Sequence, residues 1–413
     1  IISLIISIDI NKEIKIIMIK KNIKKLLKIS ILACCTTMFI GMSSIQAKTN
    51  PSIEAIAKVY GDGEHISTII LNYEKPVLAE SVTIDDFNVP GRTIIKSYVS
   101  NNPEDNGKEE KEGKYVILEL KELPMSDESI VPHVHSDEDI EQHKAIGKNG
   151  PELGSHGNPQ PIPKCEVQIE QVGLIKATDG SIYGAFPVIT SENVRELVVD
   201  DFKQDVFIDE QQNNAELKYN IYIPKNYDPA KKYPLVVFMH DAGTVSPEVK
   251  ATLVQGRGAI AWAEPSWQEE HPCFVLAPQY DTIIVDDNYD YGPELDRTIH
   301  LIDKLKKEYS IDPDRIYNTG QSMGGMTTIA MDVKYSDYFA ASYPVACKWD
   351  SSVTAPLGKQ NIWAVFSEGD SGAQASLKEI FSNFEKAGEK VNYLTVDMSL
   401  PVEEINQKVE AII

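Results

Sequence analysis

Residues 315–335 read RIYNTGQSMGGMTTIAMDVKY, and they are the most informative segment for the architecture of the C-terminal half of the chain. It contains a G-x-S-x-G pentapeptide, residues 320–324, between a segment that predicts a strand (315–319) and one that predicts a helix (324–335). A sharp strand-to-helix turn needs glycines around the serine, because larger side chains would clash while the backbone is strained. Such a turn would present Ser322 at a helix N-terminus, which makes it the candidate nucleophile.

Strands and helices alternate on both sides of this turn. The predicted strands are 217–224, 235–239, 274–277, 315–319, 340–345, 362–366 and 391–396, and the predicted helices are 293–310, 324–335, 377–387 and one that Pro401 opens. The continuous apolar runs 235–239 and 274–277 are typical of strands buried on both faces of a parallel sheet. The alternation predicts a doubly wound α/β domain over residues 200–413.

A nucleophilic serine also needs amide donors for the negative charge that develops on the attacked carbonyl. The backbone N–H of Met323, next to the serine, is the first predicted donor of this oxyanion hole. The second is predicted in the loop after strand 235–239, at Asp241 or Ala242. His240 precedes these residues and is predicted to be structural, because its place in the strand order belongs to the oxyanion loop.

The region from Leu217 to Asp370 resembles secreted bacterial esterases of the α/β-hydrolase superfamily, which are phospholipase/carboxylesterase-like, polyhydroxybutyrate-depolymerase-like or prolyl-oligopeptidase-like. The motifs that carry the resemblance are YNIYIP (219–224), FMHDAG (238–243), LAPQY (276–280) and GQSMGG (320–325). Some of these esterases have an N-terminal immunoglobulin-like domain. The resemblance implies a secreted serine hydrolase that cleaves small-molecule or polymer carboxylic esters through an acyl-enzyme on Ser322. It implies no cofactor and no metal.

In this superfamily the acid follows the nucleophile along the chain, and the histidine comes last. Asp370 lies just after strand 362–366 and is the predicted acid, with Glu368 and Asp350 as alternatives. No histidine follows His300, so the base is expected beyond residue 413. A final helix that stops on apolar residues without a cap favours truncation of the α/β-hydrolase domain. Without an imidazole to accept its proton, the serine of this chain would be inactive.

Residues 48–199 predict an all-β domain. The predicted strands are 56–60, 66–73, 82–87, 94–99, 115–120 and 167–175, and a Gly-rich turn at 61–64 joins the first two as a hairpin. This spacing predicts an immunoglobulin-like antiparallel sandwich. It is interrupted by a long polar loop, 124–164, with four histidines at spacings that match no metal site: His133, His135, His143 and His156. A solvated, mobile loop is the prediction for that segment.

Residues 1–47 have a different composition. Seven lysines face only Asp9 and Glu13, and a basic stretch ending at Lys28 precedes a 14-residue apolar run, 29–42. This order predicts a signal peptide that starts at Met18 and is cleaved after Ala47, with upstream residues before it. The apolar run is shorter than the ~20 residues that cross a bilayer, so no stable membrane span is expected after cleavage.

The formal net charge of −22 argues against nucleic acid as a partner, because phosphate binding needs clustered basic residues. Three cysteines remain after the predicted cleavage, so no disulfide framework is indicated. Tyr289 and Trp349 are candidates either to line the cleft or to pack. Two further hypotheses stay open: a serine peptidase of the prolyl-oligopeptidase type, and a non-catalytic envelope or binding protein with a relic hydrolase domain.

Overall fold

A computed structural model describes residues 3–8 (backbone only), 50–104, 107–122, 151–157, 162 and 165–412. The first element, strand β1 (Ser3–Ile8), belongs to the sheet of the C-terminal domain. The predicted signal peptide, 18–47, lies outside the described residues. Within those described, no helix is long and apolar enough to cross a membrane.

The N-terminal domain consists of strands in two main sheets. These strands are β2 (Ser52–Tyr60), β3 (Gly63–Leu78), β4 (Phe87–Asn88), β5 (Ile94–Ser100), β6 (Glu112–Leu120), β7 (Gln168–Gln171), β8 (Ile175–Lys176), β9 (Ile182–Tyr183), β10 (Phe186–Thr190) and β11 (Asn193–Glu196). One sheet has the order β11-β2-β3-β6-β5, the other has the order β10-β7-β4, and β8 pairs with β9. Alternate side chains such as Ile69, Leu71 and Ile169 fill one core with residues of both sheets. The domain is therefore a β-sandwich, antiparallel except where β11 runs parallel to β2.

Two expectations for this domain are corrected. The predicted strand 82–87 is mostly a 3₁₀ turn, Ile84–Asp86, because the Asp86 carboxylate accepts hydrogen bonds from the Thr83 N–H and hydroxyl and so favours a local turn over a ladder. Part of the predicted solvated loop is packed: Gly154 N–H donates to the Ile283 carbonyl and Ile283 N–H donates to the Ser155 carbonyl, both at 2.8 Å.

The C-terminal domain alternates strands and helices. Its strands are β12 (Phe202–Asp209), β13 (Ala215–Tyr222), β14 (Tyr233–Met239), β15 (Phe274–Gln279), β16 (Ile311–Gln321), β17 (Ala341–Val345), β18 (Trp363–Ser367) and β19 (Val391–Val396), and its helices are α1 (Ala251–Val254), α2 (Arg257–Ala263), α3 (Pro265–Glu270), α4 (Glu294–Glu308), α5 (Met323–Lys334), α6 (Ser371–Lys386) and α7 (Val402–Glu410). The sheet order is β12-β13-β15-β14-β16-β17-β18-β1-β19. Strand β13 is antiparallel to β12 and β15, and the remaining pairs are parallel. The predicted α/β architecture is confirmed.

Strand β1 occupies a position that the sequence did not predict. It runs parallel between β18 and β19, with Ile8 opposite Ser367 on one side and Val396 on the other. The sequence prediction placed these residues upstream of the signal peptide, whereas the structure uses them as an inner strand of the sheet.

Helices cover the sheet on both faces. Helices α4, α5 and α6 bury their apolar residues on one face, as Leu295, Ile299 and Ile302 do at helical spacing. Helices α1 and α2 cover the other face, where Val59 of the N-terminal domain joins Val236 and Phe238 in a shared core. The two domains therefore share an apolar cluster.

Candidate active site

The pentapeptide forms a strained turn between β16 and α5. Ser322 has φ 54° and ψ −117°, a left-handed conformation that non-glycine residues rarely adopt. Its N–H donates to the Val345 carbonyl at 3.0 Å, and its carbonyl accepts from Met326 N–H at 2.9 Å. These backbone bonds to β17 and α5 hold the serine in place, and Ser322 is exposed at the carboxyl end of the sheet.

The glycines of the pentapeptide are required by close backbone approach. A Cβ on Gly324 would lie 2.6 Å from the Met239 carbonyl carbon and 2.9 Å from the His240 oxygen, well inside the ordinary contact limit of about 3.4 Å. A Cβ on Gly320 would lie 2.6 Å from the Met239 oxygen. The end of β14 therefore rests directly on the serine turn.

This contact brings the two predicted oxyanion donors to the same edge of the sheet. Met323 is the first residue of α5, so its N–H has no intrahelical acceptor and lies at the positive end of the helix dipole. The loop after β14 is a short 3₁₀ turn, Ala242–Thr244, and the Asp241 carboxylate accepts the Gly243 N–H at 2.7 Å. Within the described chain the Ala242 N–H donates to no acceptor. The register pairs Met239 with Gly320, so this loop leaves the sheet next to the serine turn.

The ring nitrogens of His240 contact backbone groups and the side-chain amide of Gln279. Tyr280 N–H donates to its Nε2 at 3.0 Å, and its Nδ1 lies 2.8 Å from the Asp241 carbonyl. A backbone N–H can only donate, so Nε2 accepts and the ring proton sits on Nδ1. Burial lowers the pKa of His240, which keeps the ring neutral. These contacts agree with the predicted structural role and leave no nitrogen for Ser322.

Asp370 stands at the end of β18, as predicted for the acid, and it also caps α6. Its Oδ1 accepts the Ala373 N–H at 3.0 Å. Burial and then the Asp370 charge raise the pKa of the Cys347 thiol, which places the carboxylate near Cys347. A Cβ on Gly325 would lie 2.9 Å from the Cys347 sulfur. Asp370 and the serine turn thus flank the same residue beyond β17.

The alternative acids are less well placed. The Asp350 carboxylate accepts the Ser352 N–H at 2.9 Å and caps a separate 3₁₀ turn. Glu368 is exposed in the turn before Asp370.

Histidines elsewhere in the described chain make other contacts. His65 pairs with Asp62, His156 with the Asp281 carbonyl, and His300 with Asp209. Among the described residues no hydrogen bond joins an imidazole to Ser322, while His133, His135 and His143 lie outside them.

Two aromatic residues near the site pack instead of facing an open cleft. Trp349 is buried, and its ring centroid lies 5.4 Å from that of Tyr289. A groove of about 860 Å³ lies elsewhere, lined by residues such as Tyr317, Tyr343 and Trp363 of strands β16, β17 and β18. That groove is separate from the serine turn.

Sequence reasoning missed the part that the end of β17 plays. The Val345 carbonyl fixes the Ser322 amide, and Ala346 has φ 47° just before Cys347. The available signal was Gly325, a third glycine that the pentapeptide does not require and that makes room for Cys347.

Comparisons with known proteins match this architecture. Residues 52–184 match the esterase Ig-like N-terminal domain family. The solved structure of a thermostable esterase superposes with a TM-score of 0.70 at 29% identity, over 84% of this chain and 91% of that one. A 46-residue stretch is 44% identical to poly(3-hydroxyalkanoate) depolymerase C of Paucimonas lemoignei, and it spans 11% of this chain and 11% of that protein. The predicted combination of an immunoglobulin-like domain of the esterase type with an α/β-hydrolase domain is confirmed.

Proposed function

We propose that this α/β-hydrolase with an esterase-type immunoglobulin-like domain is a serine hydrolase of carboxylic esters. The observation that carries the proposal is the positive φ angle of Ser322 at a strand-to-helix turn that contacts the loop after β14. The names of the two similar proteins, an esterase and a polyester depolymerase, support an ester over a peptide bond.

In the proposed reaction the Ser322 hydroxyl attacks the ester carbonyl and the alcohol leaves. The carbonyl oxygen becomes negative and is stabilised by the Met323 N–H and by the Asp241 or Ala242 N–H. Water then attacks the acyl-enzyme and releases the carboxylic acid. A base must take the serine proton and return it to the leaving alcohol. We assign to Asp370 the role of orienting this base.

We further propose that the protein is exported through the leader 18–47. Its order of basic, apolar and small residues supports this assignment.

Acylation of Ser322 tests the function. We expect a fluorophosphonate probe and a short-chain p-nitrophenyl ester to modify Ser322, with peptide mass spectrometry locating the adduct. Ser322→Ala should abolish the adduct, and Ser352→Ala, an exposed serine in another turn, should retain it. Added imidazole should accelerate turnover of the wild type if its own base is missing, and should not rescue Ser322→Ala. Equal, uncatalysed rates for wild type and Ser322→Ala with and without imidazole would favour the non-catalytic hypothesis.

A further inference from the structure

The corner of the β2–β3 hairpin packs against the hydrolase domain. A Cβ on Gly63 would be 3.5 Å from the Val254 carbonyl oxygen, and a Cβ on Gly256 would be 3.2 Å from the Gly61 oxygen. Glu64 is the next residue after this corner and is 3% exposed. A carboxylate is therefore buried at the junction between the two domains.

Three ligand-type side chains from distant parts of the sequence meet there. Ligand atoms of Glu64, Cys165 and Glu196 all lie within 4.8 Å of one another. The Cys165 thiol donates to Glu64 Oε2 at 3.0 Å. On the hydrolase side, Lys250 Nζ donates to Glu196 Oε1 at 2.6 Å. The group thus links β3, the segment before β7, β11 and the segment before α1.

One atom in this group has no partner. Glu64 Oε1 is inaccessible to solvent, and within the described part of the chain no donor reaches it. Buried polar atoms are ordinarily paired, and an unpaired carboxylate oxygen is among the costliest exceptions.

We propose that Glu64, Cys165 and Glu196 form a binding site for a divalent transition-metal cation of the zinc type. One thiolate and two carboxylates are accepted zinc ligands, and water would complete a tetrahedral set. Ligand atoms around such an ion lie roughly 3–4 Å apart, so a contraction of about 1 Å from the observed spacing is sufficient.

The charges balance when the cation is bound. The two carboxylates and the thiolate carry three negative charges, and the cation together with the Lys250 ammonium carries three positive ones. Lys250 can keep its bond to Glu196 Oε1, while the second Glu196 oxygen is the ligand that we assign to the metal. Because the Cys165 thiol must lose its proton to solvent, binding releases one proton and tightens by about tenfold per pH unit.

A cobalt titration of the full chain, reduced and freed of metal, tests the site. Co²⁺ should bind one to one with a thiolate-to-cobalt absorption band, and Zn²⁺ should displace it. Cys165→Ser should lose the band, and Glu196→Gln should weaken binding by at least the ~10–100-fold that loss of an outer partner costs. Cys273→Ser is the matched control, because this buried thiol contacts Gln268 and not the cluster.

Two results would overturn the proposal. One is a folded wild type that shows no thiolate band at saturating Co²⁺. The other is a band that persists in Cys165→Ser or disappears in Cys273→Ser. Tryptophan fluorescence confirms that each variant is folded, and since the readout needs no ester substrate, it stands apart from the test of Ser322.

Discussion

Asp332 provides a test of how the nucleophile helix is anchored. It lies in α5, fully buried, where its Oδ1 accepts from Asn318 Nδ2 of β16 at 2.9 Å. Its Oδ2 has no partner among the described residues. Burial raises the pKa of Asp332 from an ordinary 3.8 to about 7, opposed chiefly by the hydrogen bond from Asn318. The carboxyl is therefore expected to be protonated in the folded protein well above the pH at which it ionises in the unfolded chain.

The sign of the pH dependence follows from this difference. Below the unfolded pKa both states hold the proton, and the contribution of Asp332 to stability is fully present. As pH rises toward the folded pKa, only the unfolded state ionises, so stability is lost. One pKa unit is about 1.4 kcal/mol, which gives a loss of about 4 kcal/mol for the whole shift and about 3 kcal/mol between about pH 4.5 and about pH 8.

Asp332→Asn removes the ionisation and keeps an oxygen for the Asn318 amide. We expect the free energy of unfolding of this variant, relative to wild type, to rise by about 3 kcal/mol across that pH interval. Urea unfolding followed by tryptophan fluorescence is the assay, because all four tryptophans lie in the hydrolase domain. Asp312→Asn is the control that should stay flat over this interval, since a hydrogen bond from Arg315 lowers the pKa of Asp312 and its titration is complete at lower pH. A difference between wild type and Asp332→Asn that stays flat with pH would show that Asp332 does not keep its proton in the folded protein.

Three further predictions concern the site. Gly324→Ala should lower the Tm by roughly 2–12 °C, from an overpacking cost of about 1–3 kcal/mol, whereas Gly184→Ala, with nothing within 4 Å, should not. Asp370→Ala should cost about 1 kcal/mol of stability through loss of the α6 cap, whereas Asp370→Asn should retain the cap. Where the wild type turns over esters, both variants should lose that turnover, and equal, measurable turnover in wild type and Asp370→Asn would exclude Asp370 as the acid. Because burial lowers the pKa of His240, its contribution to stability is present above about pH 6.5 and is lost on acidification. His240→Gln should therefore reduce the decrease in the free energy of unfolding that urea titrations measure as pH falls below about 6.5. An unchanged decrease would contradict this.

Local patterns predicted the elements that position the candidate site. The apolar runs, the glycines of the pentapeptide and the helical spacing are properties of short windows, and each of them lies where the structure has β14, the serine turn or α4. The position of Asp370 followed from strand order, which is also local once the alternation of strands and helices is recognised.

The features that sequence reasoning missed depend on contacts between distant segments. Strand β12 was not predicted, because Phe202–Asp209 mixes exposed Val206 and Ile208 with charged residues at a sheet edge. The short helices α1 to α3 are interrupted by Gly256 and Pro265, which weaken any periodic pattern. The meeting of Glu64 with Cys165 cannot be read from spacing, since about a hundred residues separate them.

Strand β1 can remain in the sheet only if the predicted signal peptide is not cleaved off. Cleavage after Ala47 removes Ser3–Ile8, which supplies all the ladder bonds of β19 and those along one edge of β18. We therefore expect hydrogen exchange of the Val391–Val396 amides to be faster in a chain starting at Lys48 than in the full chain, while exchange in β14 is unchanged, because β15 and β16 flank it. Equal protection of β19 in the two chains would mean that residues 3–8 do not hold this edge and that the export signal can be removed without cost to the sheet.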